Sequence, residues 1–293
     1  MKNEVVSIIG MGLVGGSLGM ALRQSSGVKV IGIGRNISRL ARAKKLGAAD
    51  EITTDYCAGV KQADLVVIAV PVEKTFEVIK KIRKCLKSGA VVTDAGSVKR
   101  KVVELSEKMM PPGVRFVGSH PMAGSEKSGV ANAAPGLFRG ATCIVTVTRK
   151  TDPSALRKVS EMWKNTGARI LVKTPEEHDR ITAEISHLPH LLSFALMERV
   201  AEANKKYGDA DRLAAGAYRD MTRIAASSPE VWADIFTSNA EFINTAAAGC
   251  IEKIEKLRKL IKAGNRNKII AELERTGKAK ARLDADILRK KGN

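Results

Sequence analysis

Val5-Val6-Ser7-Ile8-Ile9-Gly10-Met11-Gly12-Leu13-Val14-Gly15, running on into Gly16-Ser17-Leu18-Gly19-Met20-Ala21-Leu22, is the stretch whose reading decides the fold. Its first five residues form a short buried strand, and the apolar run from Ser17 is helical. Between them lies a G-x-G-x-x-G, in which each glycine has its own task. Gly10 permits a tight turn, Gly12 lets backbone amides approach a pyrophosphate, and Gly15 lets helix and strand pack closely. The N–H groups of Leu13 and Val14, at the helix N-terminus, point where a phosphate would sit.

Outward from this loop the alternation continues. Lys29 to Ile33 is a second strand, Arg39 to Leu46 a helix, and Asp64 to Pro71 a buried strand. Glu73 to Leu86 is helical, Ala90 to Asp94 is a strand, and Val114 to Val117 is a further strand. Strands alternating with helices predict a parallel, doubly wound α/β sheet of the Rossmann type. Ligands of such sheets lie beyond the carboxyl ends of the strands, which puts Val70, Pro71, Ser97 and His120 on the cofactor side. Thr142 to Thr148 and Arg169 to Val172 are strands around a helix at Ser154 to Asn165. Beyond Pro175 the strand signal stops, and Glu176 to Tyr207 opens a helical pattern that runs to the end of the chain. The expected domains are therefore a dinucleotide-binding part, residues 1–173, and an all-α part, residues 174–293.

The end of the second strand bears on the choice of nucleotide. An NAD-type site usually carries a carboxylate there for the ribose 2′-hydroxyl. Here the position is Gly34, followed by Arg35, Asn36, Ser38 and Arg39. Without the carboxylate a 2′-phosphate is not repelled, and Arg35 offers it a bidentate partner, so NADP is expected over NAD.

Composition narrows the classes. A chain of 293 residues, 44% hydrophobic and 28% charged, can bury a sizeable core. The formal net charge of +19 raises encounter rates with anions, whether nucleotides, carboxylates or nucleic acid. Only 4% of residues are aromatic, which argues against a base-stacking surface, so no nucleic-acid partner is expected. From Ile251 onward 14 basic face 6 acidic residues, read as a solvated tail. The uncharged run Val5 to Leu22 resembles a signal-peptide core, but five glycines inside it point instead to a soluble, cytoplasmic protein without a membrane partner. Cys57, Cys85, Cys143 and Cys250 form no CxxC pair and are expected as reduced thiols.

Two histidine-bearing stretches carry chemistry. Gly118-Ser119-His120-Pro121-Met122-Ala123-Gly124-Ser125-Glu126 places a histidine at a strand end in a loop built for close approach, a candidate acid/base. Ser97 precedes a helix, where an N-cap and a contact with His120 are compatible roles. Ser186-His187-Leu188-Pro189-His190 sets two histidines on one helix face, but no HExxH or cysteine cluster accompanies them and no metal is expected. His187 has a core role open to it and His190 is the better functional candidate. Arg223 lies among apolar residues and needs a partner if buried, either Asp220 or an anionic ligand.

The glycine loop, Asp94-Ala95-Gly96-Ser97-Val98-Lys99, Gly118 to Gly124, Ser186 to His190 and Arg219-Asp220-Met221-Thr222-Arg223-Ile224-Ala225 occur in this order. Together they resemble the prephenate/arogenate dehydrogenase family of tyrosine biosynthesis, over about residues 5 to 260. The resemblance implies that His120 is the catalytic histidine and that Ser97 positions it near the nicotinamide. It implies Glu126, His190 and Arg223 as active-site and substrate-binding residues, with Trp232 beside them. It also implies a homodimer through the helical part, and oxidative decarboxylation of prephenate to 4-hydroxyphenylpyruvate, or the matching reaction of arogenate. Tyr218 stands where some relatives carry a histidine implicated in tyrosine sensing, which leaves feedback inhibition open. Neither an ACT regulatory domain nor a chorismate mutase segment is expected in a chain of this length.

Overall fold

The computed structural model describes residues 3–25, 27–124, 129–209 and 212–292, the last five of these by backbone alone. Six strands, β1 (Val5–Ile9), β2 (Lys29–Ile33), β3 (Glu51–Thr53), β4 (Leu65–Ile68), β5 (Val91–Asp94) and β6 (Arg115–Val117), form one parallel sheet. Their order, β3-β2-β1-β4-β5-β6, is that of a doubly wound dinucleotide-binding fold, with the change of direction between β1 and β4.

The sheet is covered on both faces because its central strands are apolar at nearly every position and send buried side chains both ways. Val6 and Ile8 of β1 and Leu65 and Val67 of β4 join one core cluster, with Leu18, Leu22 and Trp163. Ile9, Val66 and Ile68 point the other way, into a second cluster with Ile79, Val102 and Val103. A period of two along each strand thus fills both layers, as an all-parallel sheet requires. Helices α1 (Leu13–Ser25), α2 (Ile37–Lys45), α3 (Tyr56–Val60), α4 (Thr75–Ile82) and α5 (Arg100–Met109) supply the crossovers. The expected helix from Glu73 is preceded by a 3-10 turn, Val72–Lys74, and β3 and α3 were not foreseen.

Residues downstream do not extend this sheet. Strand β7 (Ser119–Pro121) pairs antiparallel with β8 (Thr142–Thr146), which pairs parallel with β9 (Arg169–Lys173), making a separate three-stranded sheet. His120 therefore sits on this second sheet and not at the carboxyl end of a strand of the first. Gly118 makes the switch, since a Cβ there would stand 2.5 Å from Thr146 Oγ1 and 2.6 Å from Val103 Cγ2. Helix α6 (Pro153–Asn165) links β8 and β9 and buries Trp163, whose indole N–H donates to Ser119 Oγ at 2.8 Å.

The helical pattern from Glu176 is broken once. Helix α7 (Pro175–Thr182) ends in a π turn, Ala183–His187, before α8 (Leu188–Tyr207). Pro189 lacks an N–H and its ring crowds the carbonyl four residues back, so a wider turn here relieves the clash. Short helices α9 (Gly216–Thr222) and α10 (Pro229–Ser238) follow, and α11 (Ala240–Lys262) and α12 (Arg266–Gly292) end the chain.

Strands give way to helices at residues 173–175, but compactness does not divide the chain there: one unit runs to Ala240 and the other comprises Glu241–Asn293. Helix α7 is fastened to α5, because both Asp179 oxygens accept backbone N–H groups at that helix start, Lys99 at 2.7 Å and Arg100 at 2.7 Å. The second unit is a helical hairpin turned at Gly264 (φ +63°) and tied by Lys256 Nζ to Glu272 at 2.7 Å. Cys57 and Cys85, expected as separate thiols, are brought together as a disulfide pair with Cα atoms 5.3 Å apart. Their separation of 28 residues hid this proximity, which α3 and the end of α4 create.

Candidate active site

The glycine loop adopts the geometry its spacing demands. Gly10 has φ +99°, and a Cβ there would lie 2.3 Å from the Ala69 carbonyl oxygen of the neighbouring strand. At Gly15 a Cβ would lie 2.1 Å from the Gly10 oxygen. Gly12 is different, since nothing stands within 4 Å of where its Cβ would be. The space that a side chain would fill is open toward a cavity of about 900 Å³, lined by Gly10, Gly12, Arg35, Arg39, Arg42, Tyr56, Val70 and Pro71 among others. Shape and donor set fit a dinucleotide: bare backbone where a pyrophosphate passes, and three arginines beside Gly34. Leu13 and Val14 open α1, with Val14 packed on the core.

Four histidines occur in the chain, and all four fall in one run of interactions. His120 Nδ1 lies 2.8 Å from His178 Nε2, and His178 Nδ1 lies 2.7 Å from Asp179 Oδ1. His178 and Asp179 are fully buried, as are Lys99 and Asp94, whose ammonium and carboxylate pair beneath them. Asn239 Nδ2 donates to the Asp179 carbonyl at 2.9 Å and lies 3.1 Å from His187 Nδ1, which joins this group to a second one. There His190 stacks on Trp232, with centroids 3.6 Å apart, and His190 Nδ1 donates to the Ser186 carbonyl at 2.9 Å. Trp232 also meets His187 edge-on, at 6.0 Å.

Electrostatics keep these imidazoles neutral. Burial, then the neighbouring His178, Lys99 and His187, hold His120 well below the usual histidine range. Burial lowers His178 against the raising effect of Asp179, and it lowers His187 to about 4. His190 is lowered by burial and by the charge of Arg223, which places that guanidinium within electrostatic reach of the imidazole. Arg223 itself is exposed, so its charge needs no buried counter-ion.

Ser97 does not cap α5. The cap position is Lys99, without a side-chain bond, and Asp179 does the capping from 80 residues away. Ser97 lies half-buried in the loop after β5 and makes no hydrogen bond among the described residues. Glu126 lies outside the described residues. Sequence reading passed over His178 and Asn239, and gave Asp94 and Lys99 no role beyond their motif. A signal for His178 existed: a histidine with an adjoining aspartate, one residue beyond the capping box of Thr174 and Glu177. Among the described residues no three His, Cys, Asp or Glu side chains gather as a metal site, and no helix is long and apolar enough to cross a membrane.

A doubly wound sheet with a nucleotide cavity over its glycine loop, in a chain that also assembles a buried set of neutral histidines, defines an NAD(P)-dependent oxidoreductase. Similarity says which kind. The family model for the prephenate dehydrogenase nucleotide-binding domain matches residues 18–172, and that for its dimerization domain matches residues 174–275. The chain belongs to the prephenate dehydrogenase family. It is 38% identical over 260 residues to prephenate dehydrogenase of Bacillus subtilis, covering 88% of this chain and 70% of that one. It is 32% identical to cyclohexadienyl dehydrogenase of Zymomonas mobilis, covering 96% of each. Prephenate dehydrogenase from Aquifex aeolicus, solved with hydroxyphenyl propionate and NAD+, superposes with a TM-score of 0.88 at 33% identity, covering 97% of this chain and 99% of that one.

Proposed function

We propose that this enzyme oxidatively decarboxylates prephenate to 4-hydroxyphenylpyruvate, using NADP in preference to NAD, with His120 as the base. The observation that carries the reading is a half-buried histidine, held neutral by desolvation, at the head of the His178–Asp179 pair. When bound, the nicotinamide supplies the acceptor for the hydride leaving the substrate ring. His120 accepts the hydrogen bond, and then the proton, of the ring hydroxyl. Arg223 holds a substrate carboxylate, with His190 and Trp232 forming the wall beside it, and Glu126 is a further substrate-binding residue. Ser97, in the loop after β5, orients the reacting groups. Loss of the ring carboxylate as CO2 is driven by aromatisation and needs no metal.

Residues 1–173 serve the nucleotide, with Gly10, Gly12, Leu13, Val14 and Gly15 against the phosphates and Val70 and Pro71 along the cavity wall. Arg35 meets the 2′-phosphate, supported by Arg39 and Arg42 on the same cavity. Residues 174–293 hold substrate and form a homodimer in the cytoplasm. The dimerization domain matched at residues 174–275 supports this, as does an exposed apolar stripe, Ile251, Ile254 and Ile261, on α11.

Arogenate is the second reading, favoured by the 28% identity and TM-score of 0.83 with Synechocystis arogenate dehydrogenase. One experiment tests all of this: kcat/KM measured with prephenate and with arogenate in parallel, each with NADP and NAD. Turnover of prephenate with NADP the better cofactor is expected, and Arg35→Ala should cut NADP use selectively. Failure to oxidise either substrate, or a clear NAD preference, would refute the corresponding part.

A further inference from the structure

The His120–His178 contact fixes more than a position. Asp179 receives a backbone N–H on each oxygen, Lys99 on Oδ1 and Arg100 on Oδ2, so its carboxylate faces His178 as an acceptor. His178 Nδ1, at 2.7 Å from that carboxylate, must carry the proton. A neutral His178 then presents the lone pair of Nε2, and His120 Nδ1 at 2.8 Å has to donate to it. Both imidazoles are kept neutral chiefly by burial, which allows each one proton. His120 Nε2 is left as the unprotonated nitrogen.

We propose that His178 is a positioning residue which, backed by Asp179, holds His120 in its Nδ1–H tautomer and so keeps Nε2 ready to take the substrate proton. The arrangement works as the aspartate of a serine-protease triad works on its histidine, with one imidazole interposed. It also explains why Lys99 and Asp94 are buried together below: the pair anchors the loop whose Lys99 N–H grips Asp179. Losing the acceptor would free His120 to carry its proton on Nε2, where it blocks the base. This inference rests on the reading of His120 as base, but the tautomer can be measured without substrate.

The test compares His178→Leu with His178→Gln in the full-length enzyme. Glutamine can place its Oε1 near the former Nε2 and accept from His120, whereas leucine cannot. Imidazole 15N shifts of the wild type, without ligands, should show His120 protonated at Nδ1. In His178→Leu the Nε2–H form should appear, with kcat down at least ~100-fold, in keeping with losses seen when a catalytic histidine holds the wrong tautomer. KM should stay within about twofold, because binding groups are untouched. His178→Gln should restore the Nδ1–H signal and most of kcat. An Nε2–H tautomer in the wild type would overturn the proposal. So would an unchanged tautomer or wild-type kcat in His178→Leu, or failure of His178→Gln to restore the Nδ1–H form. A wild type with the expected tautomer that oxidises neither prephenate nor arogenate would overturn the assigned reaction and leave the tautomer assignment standing.

Discussion

The nucleotide end and the histidine end of the molecule are built on opposite principles. At the nucleotide end the working surface is backbone made bare by glycine, open to a cavity of about 900 Å³. Its shape is local, since Gly10 and Gly12 form the turn between β1 and α1 and Gly15 lies in the first turn of α1. At the histidine end the working groups are side chains, mostly buried around a half-buried His120, and brought from β5, β7, α7 and α10. One end binds by what is left out, and the other acts through what is packed in. Substitutions should therefore fail differently at the two ends.

The largest effect is expected from Gly15→Ala, whose methyl would stand 2.1 Å from the Gly10 carbonyl oxygen. That contact cannot be relieved without moving the loop, so the protein should lose its folded state as followed by thermal melting. Gly12→Ala sharpens the contrast three residues away. With nothing within 4 Å of the new methyl, the melting temperature should stay near wild type. Cofactor KM should rise about tenfold or more, the cost of one lost hydrogen bond to phosphate. If Gly12→Ala unfolds as well, the loop is structural throughout and the contrast is broken.

At the histidine end, His120→Asn should lower kcat by about 10²–10⁴-fold with a much smaller change in KM. Unchanged kcat would remove His120 as the base. Lys99→Met strips a fully buried charge pair of one partner and leaves Asp94 stranded. Chemical denaturation should report a loss of about 3–5 kcal/mol. A change near zero would mean that water reaches Asp94.

The smallest effects concern pH. His120 lies below the usual value of 6.5, so it remains a base as the pH falls through 6.5, and the acid limb of kcat/KM should sit below that pH. His187 is depressed to about 4 in the folded chain, so between 6.5 and 4 the unfolded state binds the extra proton. Stability should fall with pH across that window, and His187→Gln should flatten the decline. An acid limb above 6.5 would contradict the desolvation that holds His120 low.

The contrast also accounts for what was legible in the sequence. The parallel sheet, its glycine loop and the change to helices near residue 174 could be read, because each is written in a short window of spacing and apolar period. His120 could be singled out, but its sheet was misjudged, since Gly118 looks like any loop glycine until Thr146 and Val103 are packed against it. His178 and Asn239 were passed over because their role exists only through partners 58 and 60 residues away. Ser97 was given the capping task by proximity, whereas a carboxylate 80 residues downstream performs it. Contacts of that length leave no periodic trace.

That carboxylate has a consequence for how the protein can be taken apart. Asp179 lies beyond the last strand, yet it closes the start of α5, a helix inside the sheet's own crossovers. A fragment ending at residue 173 would keep every strand and lose the clasp, with Lys99 and Asp94 uncovered and α5 unfinished at its first turn. The nucleotide-binding part is thus a division of labour and not a detachable piece. Chimeras that exchange the helical part between relatives should carry their junction past Asp179, or past Asn239, if both halves are to remain whole.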